Sequence, residues 1–297
     1  MNIQILAQKF YDHSLFIRGY SKYTIQRYKT VIQLYCKYAE VSDIEEVNEN
    51  TVRNFFFYGR TKHNWKARSF ITFHMSLSVF FQWCIKEGYM KNNPTEDVEL
   101  PKVDKRLPSR LTKQDSLKLL EVVYNYPYEH KFLRYRNHAM FSMFIFAGLR
   151  KNELLKLRYT DVDIENLNIR VNLGKGSKDR IIPMTYTLAE SLKKYLEERK
   201  RLGKTCAYFF CSLHKNSGYT DSGLKRLVVQ LRQASGVSFT IHRLRHTYAT
   251  LMIESGCDIY SLSKMLGHSD IKTTTIYLSA SVEHLRLQMA KHPLNNL

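Results

Sequence analysis

The chain has 297 residues, an ordinary hydrophobic content of 44%, and 46 basic against 27 acidic side chains. The hydrophobic content excludes an intrinsically disordered chain, and the length favours two domains over one. The net charge of +19 makes a polyanion the expected partner, and nucleic acid is the commonest large polyanion.

The excess of positive charge lies mainly in the second part of the chain. Residues 1–100 carry 13 basic and 10 acidic side chains, whereas residues 101–297 carry 33 and 17. We therefore expect residues 101–297 to bind a polyanion most strongly, and a surface that merely favours solubility is the alternative.

The cysteines and the apolar segments bear on where the protein works. Cys206 and Cys211 form the closest pair of cysteines, and their spacing fits no zinc site without further ligands. The first residues lack the pattern of a signal peptide, and the apolar run AMFSMFIFAGL at 139–149 is too short to cross a bilayer. We therefore expect reduced cysteines, a cytoplasmic protein and a buried core helix at 139–149.

Residues 1–92 predict a helical domain. In the segment 21–40, Ser21 is a suitable N-cap for a helix with a regular apolar stripe. The segment 69–88 is rich in aromatic residues and ends at Gly88, a residue that suits the position just after a helix.

A basic segment between these two helices is a candidate DNA-binding surface. The sequence TKHNWKARS at 61–69 combines Lys62, Lys66 and Arg68 with Trp65. Cationic side chains of this kind contact the DNA backbone, whereas a solvated loop anchored by the tryptophan is the alternative.

Residues 92–112 have the composition of a linker. They hold three of the chain's six prolines, which alternate with charged side chains and disfavour a helix. We therefore predict an N-terminal domain at 1–92, a linker at 93–110 and a second domain at 111–297.

The second domain is predicted to be helical apart from one β-hairpin. Helices are expected over 113–155, 187–202 and 223–235, followed by three short helical segments separated at Gly256 and Gly267. Two β-rich runs, 167–173 and 179–184, flank the sequence GKGSK, whose glycines permit a tight reversal. The predicted fold class is therefore mainly α with a small β-hairpin or sheet, in two domains.

The densest group of titratable side chains opens a predicted helix at 240–256. On a helical wheel, His242, Arg245 and His246 fall within an arc of about 100°. They follow Thr240, a suitable N-cap, at the positive end of the helix dipole, where a phosphate would bind favourably. A metal site is disfavoured because two arginines and no carboxylate accompany the histidines, and an ordinary surface helix end is the other alternative.

Two further segments carry candidate residues whose signal is weak in isolation. Arg150 follows an apolar run through a glycine, so it needs an anionic partner, and Glu153 is available to supply it. Lys175 and Lys178 lie in the predicted hairpin loop, where a lysine can reach a phosphate or donate a proton.

Six residues taken together resemble the catalytic set of the tyrosine recombinases, in particular the compact phage-integrase and Xer-type members. The resemblance covers nearly the whole chain, because residues 1–92 are similar to the helical, SAM-like core-binding domain of that family and the linker follows at the same place. The six residues, in chain order, are Arg150 in AGLRKNELL, Lys175 in GKGSKDR, His242 and Arg245 in HRLRHTYAT, His268 in LGHSD and Tyr277 in TTTIY.

The resemblance implies site-specific recombination of DNA without a metal, ATP or another cofactor. Tyr277 would attack a phosphodiester, forming a 3′-phosphotyrosyl bond and freeing a 5′-hydroxyl. Arg150 and Arg245 would bind the non-bridging oxygens of that phosphate. His246 matches a family position that we interpret as structural support.

The resemblance gives the other site residues supporting roles. Lys175, rather than Lys178, would protonate the leaving 5′-oxygen. His242 would assist the proton transfer, and His268 would hold the phosphate. Lys178 and Arg243 are further candidates for DNA contact.

The resemblance also implies a homo-oligomer on double-stranded DNA, with a dimer on each site and a tetramer in the synapse. The resemblance leaves open whether a partner recombinase or an accessory protein joins this assembly. Residues 281–297 would form a terminal helix that docks on a neighbouring protomer, with packing on its own domain as the alternative. Chromosome-dimer resolution and the integration or excision of a mobile element are the open alternatives for the biological task.

Two other functions fit parts of the pattern. Residues 258–278 resemble a helix–turn–helix, which would make the protein a DNA-binding regulator without catalysis. A type IB topoisomerase would use the same chemistry, but its long insertions are lacking here. The ordered catalytic set favours the recombinase over both.

Overall fold

The protein, described by a computed structural model, folds as two units. The structure describes residues 1–103, 109–172, 179–268 and 270–278, together with residues 286, 289 and 290. The first unit spans Met1–Lys105 and the second spans Arg106–Leu297. Each unit has a hydrophobic core of its own.

The first unit consists of helices around an aromatic-rich core, in which Phe10, Phe55 and Phe80 are fully buried. Ser21 caps its second helix as predicted, since Ser21 Oγ accepts a hydrogen bond from Thr24 N–H at 3.2 Å. The helices are α1 (Ile3–Asp12), α2 (Lys22–Ala39), α3 (Glu49–Thr61) and α4 (Ala67–Lys86), with a π-helical turn at His13–Ile17 and a 3₁₀ turn at Ile44–Glu46.

A buried helix lies at the centre of the second unit. This helix, α6 (Lys131–Phe146), is buried at every residue from 139 to 145, which confirms a buried core helix there. The helix ends at Phe146, so residues 147–149 of the predicted segment lie in the turn that follows. The other helices of the unit are α5 (Lys113–Asn125), α7 (Lys151–Lys156), α8 (Tyr186–Arg201), α9 (Asp221–Ser235), α10 (Ile241–Glu254), α11 (Ile259–Leu266) and α12 (Lys272–Thr275).

The second unit also contains a small antiparallel sheet with strand order β1–β2–β3. Its strands are β1 (Val162–Asp163), β2 (Asn168–Val171) and β3 (Arg180–Pro183). Strands β2 and β3 pair as the predicted hairpin, and the residues that connect them, 173–178, lie outside the described residues. The sequence did not predict β1, because two residues are too few to show an alternation of apolar and polar side chains.

None of the described helices is both long and apolar enough to cross a bilayer. The five cysteines are free thiols in the structure. The Sγ atoms of Cys206 and Cys211 lie 3.0 Å apart, so this pair is close in space as well as in sequence.

The turn between α6 and α7 depends on Gly148. Its φ is +61°, which costs an L-residue about 1–2 kcal/mol, and an added Cβ would lie 2.3 Å from the Tyr248 ring. We expect Gly148→Ala to lower the free energy of unfolding of the second unit by roughly 2–4 kcal/mol, because strain and overpacking add. Denaturant unfolding followed by circular dichroism measures this loss.

Gly203 provides the matched control for that substitution. Its φ is also +61°, but an added Cβ would meet nothing within 4 Å. Gly203→Ala should therefore cost only the strain, about 1–2 kcal/mol. Equal losses for the two variants would show that the contact with Tyr248 is not the cause.

Candidate active site

Four segments of the second unit meet at one group of charged side chains: the turn into α7, the strand β3, the first turns of α10 and the end of α11. Thr240 caps α10 as predicted, since its Oγ1 accepts a hydrogen bond from Arg243 N–H at 3.1 Å. Arg245, in the second turn of α10, donates from Nη1 to Gly148 O at 2.7 Å. This hydrogen bond joins α10 to the turn that carries Arg150.

A buried carboxylate, that of Glu153, lies among three arginines. Arg150 donates to it from Nη1 at 2.8 Å and from its backbone N–H at 2.7 Å. Arg180 donates from Nη1 and Nη2 at 3.0 and 2.9 Å, and Arg245 Nη1 lies 3.9 Å from Glu153 Oε2. We call these four residues the Glu153 cluster. Since one carboxylate faces three guanidinium groups, the cluster has an excess of positive charge.

The Glu153 carboxyl stays ionised although it is buried. Burial by itself would raise the pKa of Glu153, but the hydrogen bonds and charge of Arg180, and then those of Arg150, outweigh it and hold the pKa at about 2. Burial, followed by the charge of Arg150, lowers the pKa of Arg245 to about 10, so Arg245 remains protonated at neutral pH. The excess of positive charge therefore persists at neutral pH.

The arginines of the Glu153 cluster also hold the C-terminal end of α11. Carbonyl groups at a helix end have no partner within the helix, and they lie at the negative end of its dipole. The hydrogen bonds join Arg180 Nε to Met265 O at 2.7 Å, Arg245 Nη2 to Leu266 O, and Arg150 Nη2 to Gly267 O at 3.3 Å.

His268 follows this helix end and is held in one tautomer. Its Nε2 accepts a hydrogen bond from Arg245 Nη2 at 3.2 Å, so its Nδ1 carries the proton and donates to Thr274 Oγ1 at 2.8 Å. Burial, followed by the charges of Arg245 and Arg150, lowers the pKa of His268 to about 4. His268 is therefore a neutral imidazole at pH 7.

Tyr277 lies just after α12 and is only 2% exposed. Its Oη lies 2.8 Å from His246 Nδ1, and its ring packs in a small apolar cluster with residues of α10 and α11. Burial raises the pKa of Tyr277, an effect that the charges of Arg245 and Arg150 oppose. The phenol thus lies within the electrostatic influence of both arginines.

His242 stands next to His246 on α10, with the ring centroids 4.3 Å apart. Partial loss of hydration, followed by the charges of Arg245 and Arg150, lowers the pKa of His242. His242 is exposed, and it lines a cleft together with Arg150 and Arg245, so an anion entering the cleft would meet all three. The full lining is Leu149, Arg150, Lys151, Asn152, Glu153, Lys156, Asn172, Ile241, His242 and Arg245.

The structure brings most of the predicted catalytic set into this site, and their catalytic roles stay predictions. The residues that meet here are Arg150, His242, Arg245, His268 and Tyr277. Lys175 and Lys178 lie outside the described residues.

The other predicted DNA contacts differ in their surroundings. Arg243 donates to the backbone carbonyls of Ser238 at 2.8 Å and Arg110 at 3.0 Å, so its guanidinium is engaged within the second unit. The remaining candidates are exposed side chains of the first unit, namely Lys62, Lys66 and Arg68.

Sequence reasoning missed part of what organises the site. The sequence predicts Glu153 only as a partner for Arg150, although Glu153 occupies the third position of α7, where a capping-box carboxylate belongs. Arg180 was not singled out, yet it precedes Ile182 by two positions on β3, and alternate residues of a strand share a face. His246 was interpreted as structural support, and its contact with the phenol could not be read from the helix alone.

Comparisons with known proteins match both parts of the chain. The model of the phage integrase family matches residues 109–284, and the model of the phage integrase N-terminal SAM-like domain matches residues 6–90. The chain belongs to the phage integrase family. It is a site-specific tyrosine recombinase, an enzyme that breaks and rejoins DNA strands, and a non-catalytic regulator is not favoured.

Individual relatives align with the recombinase over most of its length. It is 32% identical to the tyrosine recombinase XerC of Thermodesulfovibrio yellowstonii, over 99% of this chain and 98% of that protein. The structure of the XerH recombinase bound to palindromic difH substrate has a TM-score of 0.74 at 22% identity, over 92% of this chain and 81% of that one. A lambda integrase dimer bound to a COC′ core site has a TM-score of 0.73 at 21% identity, over 93% and 77%.

Removing the central carboxylate should destabilise the second unit. Glu153→Gln leaves Arg180 and Arg245 buried without their anionic partner, which costs roughly 3–5 kcal/mol in comparable cases. We expect a loss of that size in the free energy of unfolding, measured by denaturant titration with circular dichroism.

Glu190→Gln is the control, because Glu190 pairs with Lys193 at 3.0 Å on an exposed surface, where the loss should stay within about 0.5 kcal/mol. Both tryptophans, Trp65 and Trp83, belong to the first unit, so their fluorescence follows that unit separately. A loss for Glu153→Gln no larger than the control's would refute the central role of this carboxylate.

The second unit should also lose stability in mild acid. Burial and neighbouring positive charges lower the pKa values of His246 and His268 from 6.5 to about 4. Between these pH values the unfolded chain binds more protons than the folded one, so the free energy of unfolding is highest above pH 6.5 and falls as the pH decreases toward 4. Denaturant titrations at pH 7 and pH 5 test this, and His268→Asn should lessen the fall. Equal stability at the two pH values would contradict the expectation.

Proposed function

We propose that Tyr277 is the nucleophile with which the recombinase cleaves one strand of duplex DNA. Its Oη attacks the phosphorus of a phosphodiester, and the bond from phosphorus to the 5′-oxygen breaks, leaving a 3′-phosphotyrosyl bond and a free 5′-hydroxyl. A 5′-hydroxyl from another duplex reverses the step, so strands are exchanged. The observation that carries this proposal is the position of the Tyr277 phenol, 2.8 Å from Nδ1 of His246, the residue that follows Arg245 on α10. The charges of Arg245 and Arg150 act on the phenol there.

Arg150 and Arg245 are the proposed ligands of the scissile phosphate. They line the same cleft, and the single carboxylate of Glu153 leaves them with uncompensated positive charge. Guanidinium groups fixed in advance stabilise the negative charge that develops on a phosphorus centre during attack. Lys175 is proposed as the general acid on the strength of the sequence resemblance.

The two histidines of the predicted set are proposed to act differently. His242 is exposed in the cleft, where a bound phosphate would favour its protonated, hydrogen-bond-donating form. His268 accepts a hydrogen bond from Arg245, so we propose that it holds this arginine in place and influences the phosphate through it.

The domain roles follow from the same reasoning. We propose that residues 1–92 form a DNA-binding domain, that 93–110 form the linker, and that 111–297 form the catalytic domain. The exposed positions of Lys62, Lys66 and Arg68 support a contact of the first domain with the DNA backbone. Because its substrate is DNA, we propose the cytoplasm as the place of action.

We propose that two protomers bind each recombination site and that four form the synapse. The similarity of fold to a lambda integrase that was solved as a dimer on its core site supports this assembly. The palindromic difH substrate of XerH supports it too, since a palindrome offers related half-sites to a two-fold symmetric dimer. Residues 281–297, which we predict to dock on a neighbouring protomer, lie largely outside the described residues.

Tyr277→Phe should abolish the covalent intermediate without preventing DNA binding, because it removes only the attacking oxygen. The wild type and the variant are incubated, without metal or ATP, with a pool of duplexes that have a randomised core and a nick at varied positions. A nick lets the short released strand diffuse away, so the adduct accumulates. We expect a protein–DNA adduct on a denaturing gel for the wild type alone, and sequencing of the captured DNA then gives the target.

Tyr186→Phe is the control, because this tyrosine is 79% exposed and belongs to α8. It should form the adduct as the wild type does. If the wild type binds DNA but forms no adduct under any nick position, the proposed nucleophile is wrong. An adduct that persists in Tyr277→Phe would assign the chemistry to another side chain.

A further inference from the structure

The phenol of Tyr277 faces one imidazole that the predicted catalytic set does not include. Tyr277 Oη lies 2.8 Å from Nδ1 of His246, and the two rings are tilted by 54° with centroids 5.6 Å apart. His246 occupies the second turn of α10, immediately after Arg245. An attacking phenol has to lose its proton, so the group at hydrogen-bond distance from Oη is the first candidate to receive it.

The other two histidines of the site are less suited to accept this proton. His268 has both ring nitrogens engaged, since Nε2 accepts from Arg245 and Nδ1 donates to Thr274. His242 is exposed and lines the cleft with the arginines, which places it toward the phosphate.

His246 can accept the proton if its hydrogen lies on Nε2. The phenol hydroxyl then donates to the free lone pair of Nδ1, which is the arrangement expected for an acidic O–H facing a neutral imidazole.

We propose that His246 is the general base of strand cleavage, an inference that rests on the proposed nucleophile. Nδ1 takes the phenolic proton of Tyr277 as Oη forms its bond to phosphorus. The bond from phosphorus to the 5′-oxygen breaks, and its electron pair goes to that oxygen. The oxygen then takes a proton from Lys175, which is the general acid that the sequence resemblance implies. In rejoining, an incoming 5′-hydroxyl attacks phosphorus and gives its proton to Lys175, which lost one during cleavage. The bond from phosphorus to Oη breaks, its electron pair goes to Oη, and Oη recovers its proton from His246.

The electrostatics of the site fit a base that works only on a bound substrate. Burial raises the pKa of Tyr277, so its proton does not leave unaided at neutral pH. Burial, followed by the charges of His242 and Arg245, lowers the pKa of His246 to about 4, which keeps the imidazole neutral and ready to accept. A phosphodiester bound beside Arg245 would offset that positive charge and favour the imidazolium during attack. Without DNA the transfer is unfavourable, so the phenol keeps its proton.

His246→Asn tests whether His246 only accepts a hydrogen bond from Tyr277 or also takes up its proton. The side-chain oxygen of asparagine can take the place of Nδ1 as a hydrogen-bond acceptor, but it is not a base at neutral pH. On a nicked duplex recovered by the wild type from the randomised pool, we expect normal binding and roughly 10²- to 10⁴-fold slower formation of the adduct.

His138→Asn is the matched control. His138 is another half-buried histidine of the second unit, its Nδ1 lies 2.8 Å from a hydroxyl oxygen (Ser191 Oγ), and burial lowers its pKa to about 4. Its contacts are with α8 through Ser191 and with α5 through Tyr124, and not with the Glu153 cluster. Adduct formation by His138→Asn should stay within threefold of the wild type.

A more acidic phenol should reduce the need for the base. With a fluorinated tyrosine at position 277, the rate of adduct formation by His246→Asn should rise at least tenfold. The same replacement in the protein that retains His246 should change this rate far less. As a second route, which does not depend on the folding of the asparagine variant, His246→Ala should be accelerated by added imidazole.

The outcomes separate the inference from the function on which it rests. If the wild type forms the adduct and His246→Asn forms it within threefold of the same rate, His246 is not the base. Suppose instead that His246→Asn is slow, that a fluorinated tyrosine does not restore its rate, and that imidazole does not accelerate His246→Ala. His246 is then a merely structural residue, and the proposal is overturned. If the wild type itself forms no adduct, the proposed nucleophile fails instead.

Discussion

The site depends on one ion-pair arrangement, in which Glu153 lies buried among Arg150, Arg180 and Arg245. Three neighbouring guanidinium groups, of which those of Arg180 and Arg245 are buried, repel one another, and the single carboxylate among them offsets part of this repulsion. The charges do not balance, because one carboxylate cannot neutralise three cations. What remains is a fixed positive potential beside the cleft, which suits a phosphodiester better than a neutral ligand.

The same arrangement governs the histidines and the tyrosine around it. Burial together with the surrounding arginines keeps His246 and His268 neutral, while burial keeps the Tyr277 phenol protonated. A resting site of this kind holds its reactive groups in their uncharged forms. The arrival of a phosphate changes the local charge, and with it the relative cost of moving a proton from phenol to imidazole.

Much of the fold could be predicted from local patterns, because caps, glycine turns and apolar periodicity act over a few residues. Ser21 and Thr240 cap their helices where the sequence indicated, and β2 and β3 pair as expected. The contacts that organise the site join residues far apart in the chain, which no local pattern specifies. His246 and Tyr277 are 31 residues apart, and Arg180 reaches a carbonyl 85 residues away. The predicted catalytic set follows from the resemblance to a family, whereas the contacts of its members required the tertiary structure.

The shared contacts of the Glu153 cluster have a consequence for how such a protein can diversify. Each of its members contacts at least one other member or a carbonyl at the end of α11, so a change at one position disturbs several interactions at once. Exposed cations such as Lys62, Lys66 and Arg68 carry no comparable constraint. Outer surfaces of the enzyme can therefore change at little cost to the fold, whereas a change within the Glu153 cluster requires compensating changes at its other members. The same division indicates where directed evolution toward a chosen DNA site should introduce its mutations.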